Sequence, residues 1–233
     1  MLSIGDRMKQ YYETPSAQYL TRRVPVIVRV DGRAFHTFCR GMKKPFDTMF
    51  MEDMRWAAAH VAADMQGCKL AYVQSDEASF LLTDFDDLTT DAWFGYRAAK
   101  VVSAAASLMT AYFILAREYK LGNSPPTFDA RAFNVPQADV ANYFLWRAQD
   151  WERNSLEMYC RAFFSHKQMH GKNRAAQHEM LHSVGKNWTT DLSDAVKNGS
   201  WLLAPHDWHS DIRPVYSEIA TIVYAVMPTA QEA

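Results

Sequence analysis

The order of elements constrains this chain more than any single residue does. Short β-branched runs alternate with two long Ala-rich stretches in the series β-α-β-β-α-β. Residues 26–31 (VIVRVD) predict a strand that ends in an Asp-Gly turn. Asp47 then caps a helix that Gly67 stops. Residues 69–74 and 78–83 predict two strands joined by Ser75-Asp76-Glu77, a polar turn without glycine. A helix over residues 93–119 follows, closed by Gly122, Asn123 and Pro125-Pro126, and residues 128–135 supply a fourth strand. This series is the split βαβ, or ferredoxin-like, arrangement of the α+β class. Two further helices, over residues 137–147 and 152–166, begin a mostly helical extension. The expected division is a core over residues 1–136 and a helical extension over 137–233 that carries RNA contacts, with Pro214 and Pro228 breaking any long element after about Pro205.

The topology has a chemical consequence. Its first two strands run parallel with the third between them, so the end of strand one and the hairpin turn share an edge of the sheet. Asp31 and the pair Asp76-Glu77 therefore converge. Carboxylates beside a glycine whose carbonyl can come close form the oxygen-rich donor set that a hard cation such as Mg²⁺ takes, with phosphates and water completing its shell. Polymerase palms use the same topology.

Composition limits the alternatives. Three cysteines, Cys39, Cys68 and Cys160, are odd in number and widely spaced, so neither a disulfide framework nor a thiolate zinc site is expected. The first residues contain no apolar targeting segment, and no run reaching the roughly 20 apolar residues of a membrane span is evident, so a cytoplasmic protein with no membrane partner is expected. The net charge of −1 does not advertise a nucleic-acid binder, yet the charge is uneven. Residues 22–44 hold seven basic side chains against Asp31 alone, residues 161–186 hold five against Glu179, and acids pool between Asp84 and Asp91.

The segments VRVDGRAFHTF (28–38) and YVQSDEASFLL (72–82) resemble the two signature segments of the tRNA-histidine guanylyltransferase superfamily. The similarity continues through KPFD (44–47), WFGYRAAKVVSAAAS (93–107), FDARAFNVP (128–136) and YFLWRAQD (143–150), over roughly residues 5 to 205. It implies a palm-type core in which Asp31, the Gly32 carbonyl and Asp76 bind two Mg²⁺ ions and Glu77 supports them as part of the catalytic set. It further implies nucleotide contacts from Arg33, Phe35, His36, Lys44, Ser75, Arg97 and Lys100. A cation pair at i, i+3 on a helix suits a phosphate chain. The simple topology, however, starts that helix at the sheet edge opposite the acids. Asp129 and Arg131, two apart on a strand, share a face and are expected to pair.

Members that add guanosine to histidine tRNA carry a His-Ile-Asn-Asn-Leu-Tyr-Asn segment. Here the corresponding stretch reads Glu152-Arg153-Asn154-Ser155-Leu156-Glu157-Met158, retaining only Asn154 and Leu156. The chain thus looks closer to the bacterial and archaeal guanylyltransferase-like branch, which resembles 3′-5′ polymerases repairing 5′-truncated tRNA. The implied reaction activates a 5′-phosphate with ATP, after which the 3′-hydroxyl of GTP or another nucleotide attacks. Implied partners are tRNA, contacted by Asn154, Lys167, Lys172 and Arg174, and three further copies of the chain in a tetramer. His178-Glu179-Met180-Leu181-His182 matches HExxH, but the segment before it is polar and basic and no third ligand follows. Cyclic-dinucleotide cyclases share the palm but not the DGRxFHxF and QSDE combination. The remaining alternative is a non-catalytic RNA-binding module of the same fold.

Overall fold

The computed structural model describes residues 2–117, 125–204, 207–212, 214 and 216–228, with backbone only for 207–212. Six strands form one antiparallel sheet: β1 (Val26–Arg33), β2 (Cys68–Gln74), β3 (Glu77–Leu82), β4 (Thr127–Asn134), β5 (Ser200–Leu203) and β6 (Asp207–Ile212), in the order β4-β1-β3-β2-β5-β6. The four expected strands are neighbours in the order β4-β1-β3-β2 within this sheet. The last two were not foreseen, and they make the C-terminal region an integral part of the sheet rather than a helical layer packed upon it. Trp201, Leu202 and Leu203 are too short a run to announce a strand; β5 is a strand because it completes the edge of β2.

Side chains alternate between the faces of a strand. Val26, Val28 and Val30 pack with Ala71, Val73, Phe80 and Leu82 under helices α1 (Thr48–Asp64) and α2 (Ala98–Arg117). Ile27, Leu70, Tyr72 and Leu81 face α3 (Gln137–Arg161) and a C-terminal helix, α5 (Tyr216–Val226). The second half of α3 forms its own core with α4 (Arg174–Ser183) and the short turns after it, through Trp151, Leu156, Tyr159, Leu181 and Trp188.

Asp47 caps α1 as expected, its carboxylate accepting from the Phe50 amide at 3.1 Å. Gly67, at φ +78°, follows; a Cβ there would lie 2.2 Å from the Thr83 carbonyl. The second long helix starts at Ala98 rather than near Trp93. Phe94, Gly95 and Tyr96 all have positive φ, at 51°, 59° and 56°, and form a separate turn. Trp93 and Tyr96 are buried in it, and the Tyr96 carbonyl accepts from the Leu20 amide. Its predicted end at Gly122 and Asn123 lies outside the described residues. The two helices expected after Pro136 are one, α3, because nothing between them breaks a helix and Phe144, Ala148, Trp151 and Ser155 continue one buried stripe.

By length and composition, α2 is long and apolar enough to cross a membrane, which corrects the expectation that no such stretch exists. Its Val101, Ala105, Met109 and Phe113 are nevertheless buried against the sheet. Phe113 is fully buried among Phe35, Phe38, Phe50 and Phe128, with ring centroids 5.6–5.8 Å away. Phe113→Ala is expected to lower the unfolding free energy by about 3–5 kcal/mol, measured by denaturant titration.

Candidate functional site

Antiparallel pairing sets Asp31 directly opposite Glu77, and the Gly32 amide donates to the Asp76 carbonyl at 2.9 Å. The hairpin is tighter than the sequence indicated. Glu77 already belongs to β3, so Ser75 and Asp76 alone make the turn, and Ser75 takes the left-handed conformation at φ +48°. A non-glycine residue there is uncommon and marks a position held by its surroundings. Gly32 is equally constrained: a Cβ would lie 2.5 Å from the Phe35 ring and 2.9 Å from the Asp76 Cβ. The absence of a side chain at Gly32 lets β1 close against the Ser75-Asp76 turn.

Two cavities meet at Ser75 and Asp76, and Asp31 borders the second of them. One, of about 280 Å³, has an apolar wall that includes Phe46, Met51, Trp151 and Met158, with Lys43 and Lys44 at the same cavity as Ser75 and Asp76. The other, of about 380 Å³, is bounded by Asp31, Asp76, Glu77, Arg147, Asn154 and Arg161. Ser75, Asp76, Trp151 and Met158 border both. A smaller hollow of about 210 Å³ shares Glu157 and Arg161 with the second and adds His166, His170 and Lys172.

Burial pushes the Asp76 carboxyl above its ordinary range, and the negative charge of Asp31 adds to the effect. Burial also raises Glu77, a rise that Arg147 and Arg29 partly offset. Glu77 does not face the cavity as a free acid. Arg147 Nε donates to its Oε1 at 2.8 Å and Nη2 to its Oε2 at 3.0 Å. Both carboxylate oxygens are therefore engaged, and Glu77 is a paired residue beside the two aspartates rather than a third ligand. Among the described residues no group of three His, Cys, Asp or Glu side chains is arranged to hold a metal. Asp31 and Asp76, which both border the second cavity, do fit a Mg²⁺ ion that takes most of its shell from phosphate and water, whereas Gly32 borders neither cavity.

Of the other expected contacts, Lys44, Ser75 and His36 border the apolar cavity, the His36 Nε2 lying 3.0 Å from the Thr37 hydroxyl. Phe35 also borders it but is 2% exposed, a core ring first and a cavity wall second. Arg33 is exposed at the end of β1 and borders neither cavity. Arg97 and Lys100 are at the far edge of the sheet, as the topology suggested. Arg97 pairs with Tyr19, and α2 follows the end of β3, where Leu82 lies opposite Val26 at the start of β1. Lys100 sits over the Phe94 ring at 5.3 Å. Asp129 and Arg131 form the expected pair at 3.5 Å.

In the C-terminal half, Asn154 borders the polar cavity and Lys172 the hollow beyond it. Lys167 is exposed in the short helix His166–Met169, and Arg174 pairs with Glu152. His178 and His182 lie on α4 with no metal group around them among the described residues, while His206 and the side chain of His209 fall outside those described. Cys39 borders the apolar cavity, but burial, with Asp76 nearby, pushes its thiol up to about 11, which removes it as a nucleophile.

Arg147, Trp151, Met158 and Arg161 complete the site and were not singled out from the sequence. Arg147 carried a signal: it stands in the buried stripe of α3, three residues after Phe144 and four before Trp151, where an unpaired cation would not persist.

Paired carboxylates on a sheet edge, beside one cavity with lysines and another with arginines, are a setting suited to phosphate groups and a cation. The chain belongs to the tRNAHis guanylyltransferase family of nucleotidyltransferases, whose model, described as Thg1, matches residues 5–136. A tRNA(His) guanylyltransferase of Schizosaccharomyces pombe is 30% identical over 87% of this chain and 82% of that protein. A probable tRNA(His) guanylyltransferase of Dictyostelium discoideum is 32% identical over 60% of this chain, which spans only 56% of that relative. Among solved structures, a bacterial tRNA(His) guanylyltransferase (Thg1)-like protein in complex with ATP superposes with a TM-score of 0.86 at 40% identity, over 95% of this chain and all of that one. A bacterial Thg1-like protein in complex with GTP gives 0.78 at 37%, with the same coverage.

The raised Asp76 has a measurable consequence. Its carboxyl ionises less readily in the folded chain than in the unfolded one, so the unfolded chain loses the proton first as pH rises. Stability therefore falls between the ordinary value of 3.8 and the raised one, and the loss is complete above the raised value. Asp76→Asn is expected to raise the thermal midpoint at pH 7, by about 2–4 °C for each kcal/mol recovered. Melting curves should show this advantage shrinking as pH falls from the raised value toward 3.8 and vanishing below it.

Proposed function

We propose that this protein adds nucleotides to the 5′ end of tRNA in the 3′-5′ direction, through a Mg²⁺-dependent site on a ferredoxin-like, palm-type core. The observation that carries the reading is the position of Asp76 where two cavities meet, with Asp31 beside it on the wall of the second. The family, and relatives described in complex with ATP and with GTP, support it.

The apolar wall of Phe46, Met51 and Trp151 offers stacking surface to a base, and Lys44 sits where it offsets triphosphate charge. Asp31, Asp76 and the Gly32 carbonyl would hold two Mg²⁺ ions. When bound, these polarise the α-phosphate and offset charge on the departing pyrophosphate. Asn154, Arg161 and Lys172 line the polar route by which the RNA 5′ end reaches the acids. ATP activation of a 5′-phosphate, followed by attack of an incoming 3′-hydroxyl, needs positioning and charge rather than a protein nucleophile. The replaced tRNA-recognition segment around Asn154 favours templated repair of truncated tRNA over selection of histidine tRNA.

Incubation with Mg²⁺, ATP, labelled GTP and a tRNA lacking its first nucleotide should place label at the RNA 5′ end. Asp76→Ala should abolish incorporation, and Lys44→Ala should lower kcat/KM for the nucleotide about 10- to 100-fold, the worth of one charged contact. RNA binding without incorporation by the unaltered protein would leave the binding-module reading instead.

A further inference from the structure

Arg147 is the one cation whose guanidinium is buried within this site, with a side chain only 8% exposed among the described residues. Its contacts to Glu77 are bidentate, its Nη1 lies 3.3 Å from Asp150, and its face lies 4.6 Å from the Trp146 ring. Gln74, at the end of β2, presents its amide to the same guanidinium. Arg29 approaches Glu77 from β1, but at 3.8 Å it makes no hydrogen bond and its Nε is buried without a partner. Arg147 therefore makes the short, bidentate hydrogen bonds to Glu77, while Arg29 adds only a longer ion pair.

Glu77 occupies a special place in the chain. It follows Asp76 directly and lies opposite Asp31 in the register of β1 and β3. Holding Glu77 thus holds both aspartates, one through the adjoining peptide and one through the strand pair. Within the turn Ser75 is in a conformation its own chemistry disfavours, and the bonds to Asp76 from the Ser75 side chain and the Gly32 amide are local, so Glu77 is what ties the turn to α3. Engagement of both Glu77 oxygens also keeps a third carboxylate from competing for a cation next to Asp31 and Asp76.

We infer that Arg147 is a positioning residue for the Asp31–Asp76 cation site, acting through Glu77 from helix α3. The inference rests on the metal reading proposed above. The planar fork is required: a lysine keeps the charge but cannot hold both oxygens in one geometry.

The test is Mn²⁺ binding, followed by electron paramagnetic resonance on the purified protein with a non-hydrolysable ATP analogue, beside thermal melting. Arg147→Lys and Arg147→Met are expected to raise the Mn²⁺ half-saturation about tenfold or more, the usual effect of losing the partner of a ligand set. Both variants should melt earlier, so Glu77→Gln/Arg147→Met is measured as well. The double variant removes the orphaned charge, and its midpoint should return toward that of the unaltered protein while weak Mn²⁺ binding persists. Unaltered Mn²⁺ half-saturation in Arg147→Lys or the double variant would overturn the inference and make the pair purely structural. Absence of Mn²⁺ binding by the unaltered, folded protein would overturn the metal reading itself, and this inference with it.

Discussion

The pairing of Asp31 with Glu77 across β1 and β3 is inherited from hydrophobic burial a few residues away. Val26, Val28 and Val30 must face α1 and α2, and Ile27 must face α3 and α5, because both sides of the sheet are covered. A slip of one residue would reverse every side chain on β1. Asp31 would then turn into the valine layer, without the partner acids or the cavity that make it useful. The apolar pattern of one strand thus aims the acid at its end, and the rest of the site is arranged around that direction. Gly32 belongs to the same constraint, since the space a side chain would take is filled by Phe35 and the Cβ of Asp76.

The convergence of Asp31 and Asp76 was legible in the sequence because it needs only local signals and a topology: two strands, a two-residue turn and the right-handed logic of the split βαβ unit. The contribution of α3 was not. Arg147 meets Glu77 across 70 residues, and no spacing rule connects them. The C-terminal strands escaped for a related reason, since β5 is defined by the free edge of β2 more than by its own four residues. The Phe94-Gly95-Tyr96 turn hid the start of α2, because left-handed backbone at an aromatic residue is imposed by the surrounding contacts rather than encoded by preference.

Charge patterning was informative in a different sense. The excess of cations over residues 22–44 is partly consumed inside the fold: Arg22 pairs with the buried Asp84, and the Arg23 amide donates to the same carboxylate. Lys69 pairs with Asp86 at 2.7 Å. The acidic pool near residue 84 and the basic run near residue 22 are therefore two halves of one structural joint, at the edge of the sheet remote from Asp31. Lys43 and Lys44, from the same basic run, border the apolar cavity beside Asp76 instead.

Three carboxylates close together on a buried edge oppose folding, and the fold treats them unequally. Glu77 is matched by Arg147, whereas among the described residues Asp31 and Asp76 form no ion pair. Matching all three would stabilise the chain and leave no open negative charge for a cation. Matching none would leave the turn without an anchor. One acid is matched by a buried arginine from α3 and two are left without an ion pair among the described residues, which is the division of charge the proposed cation site would need.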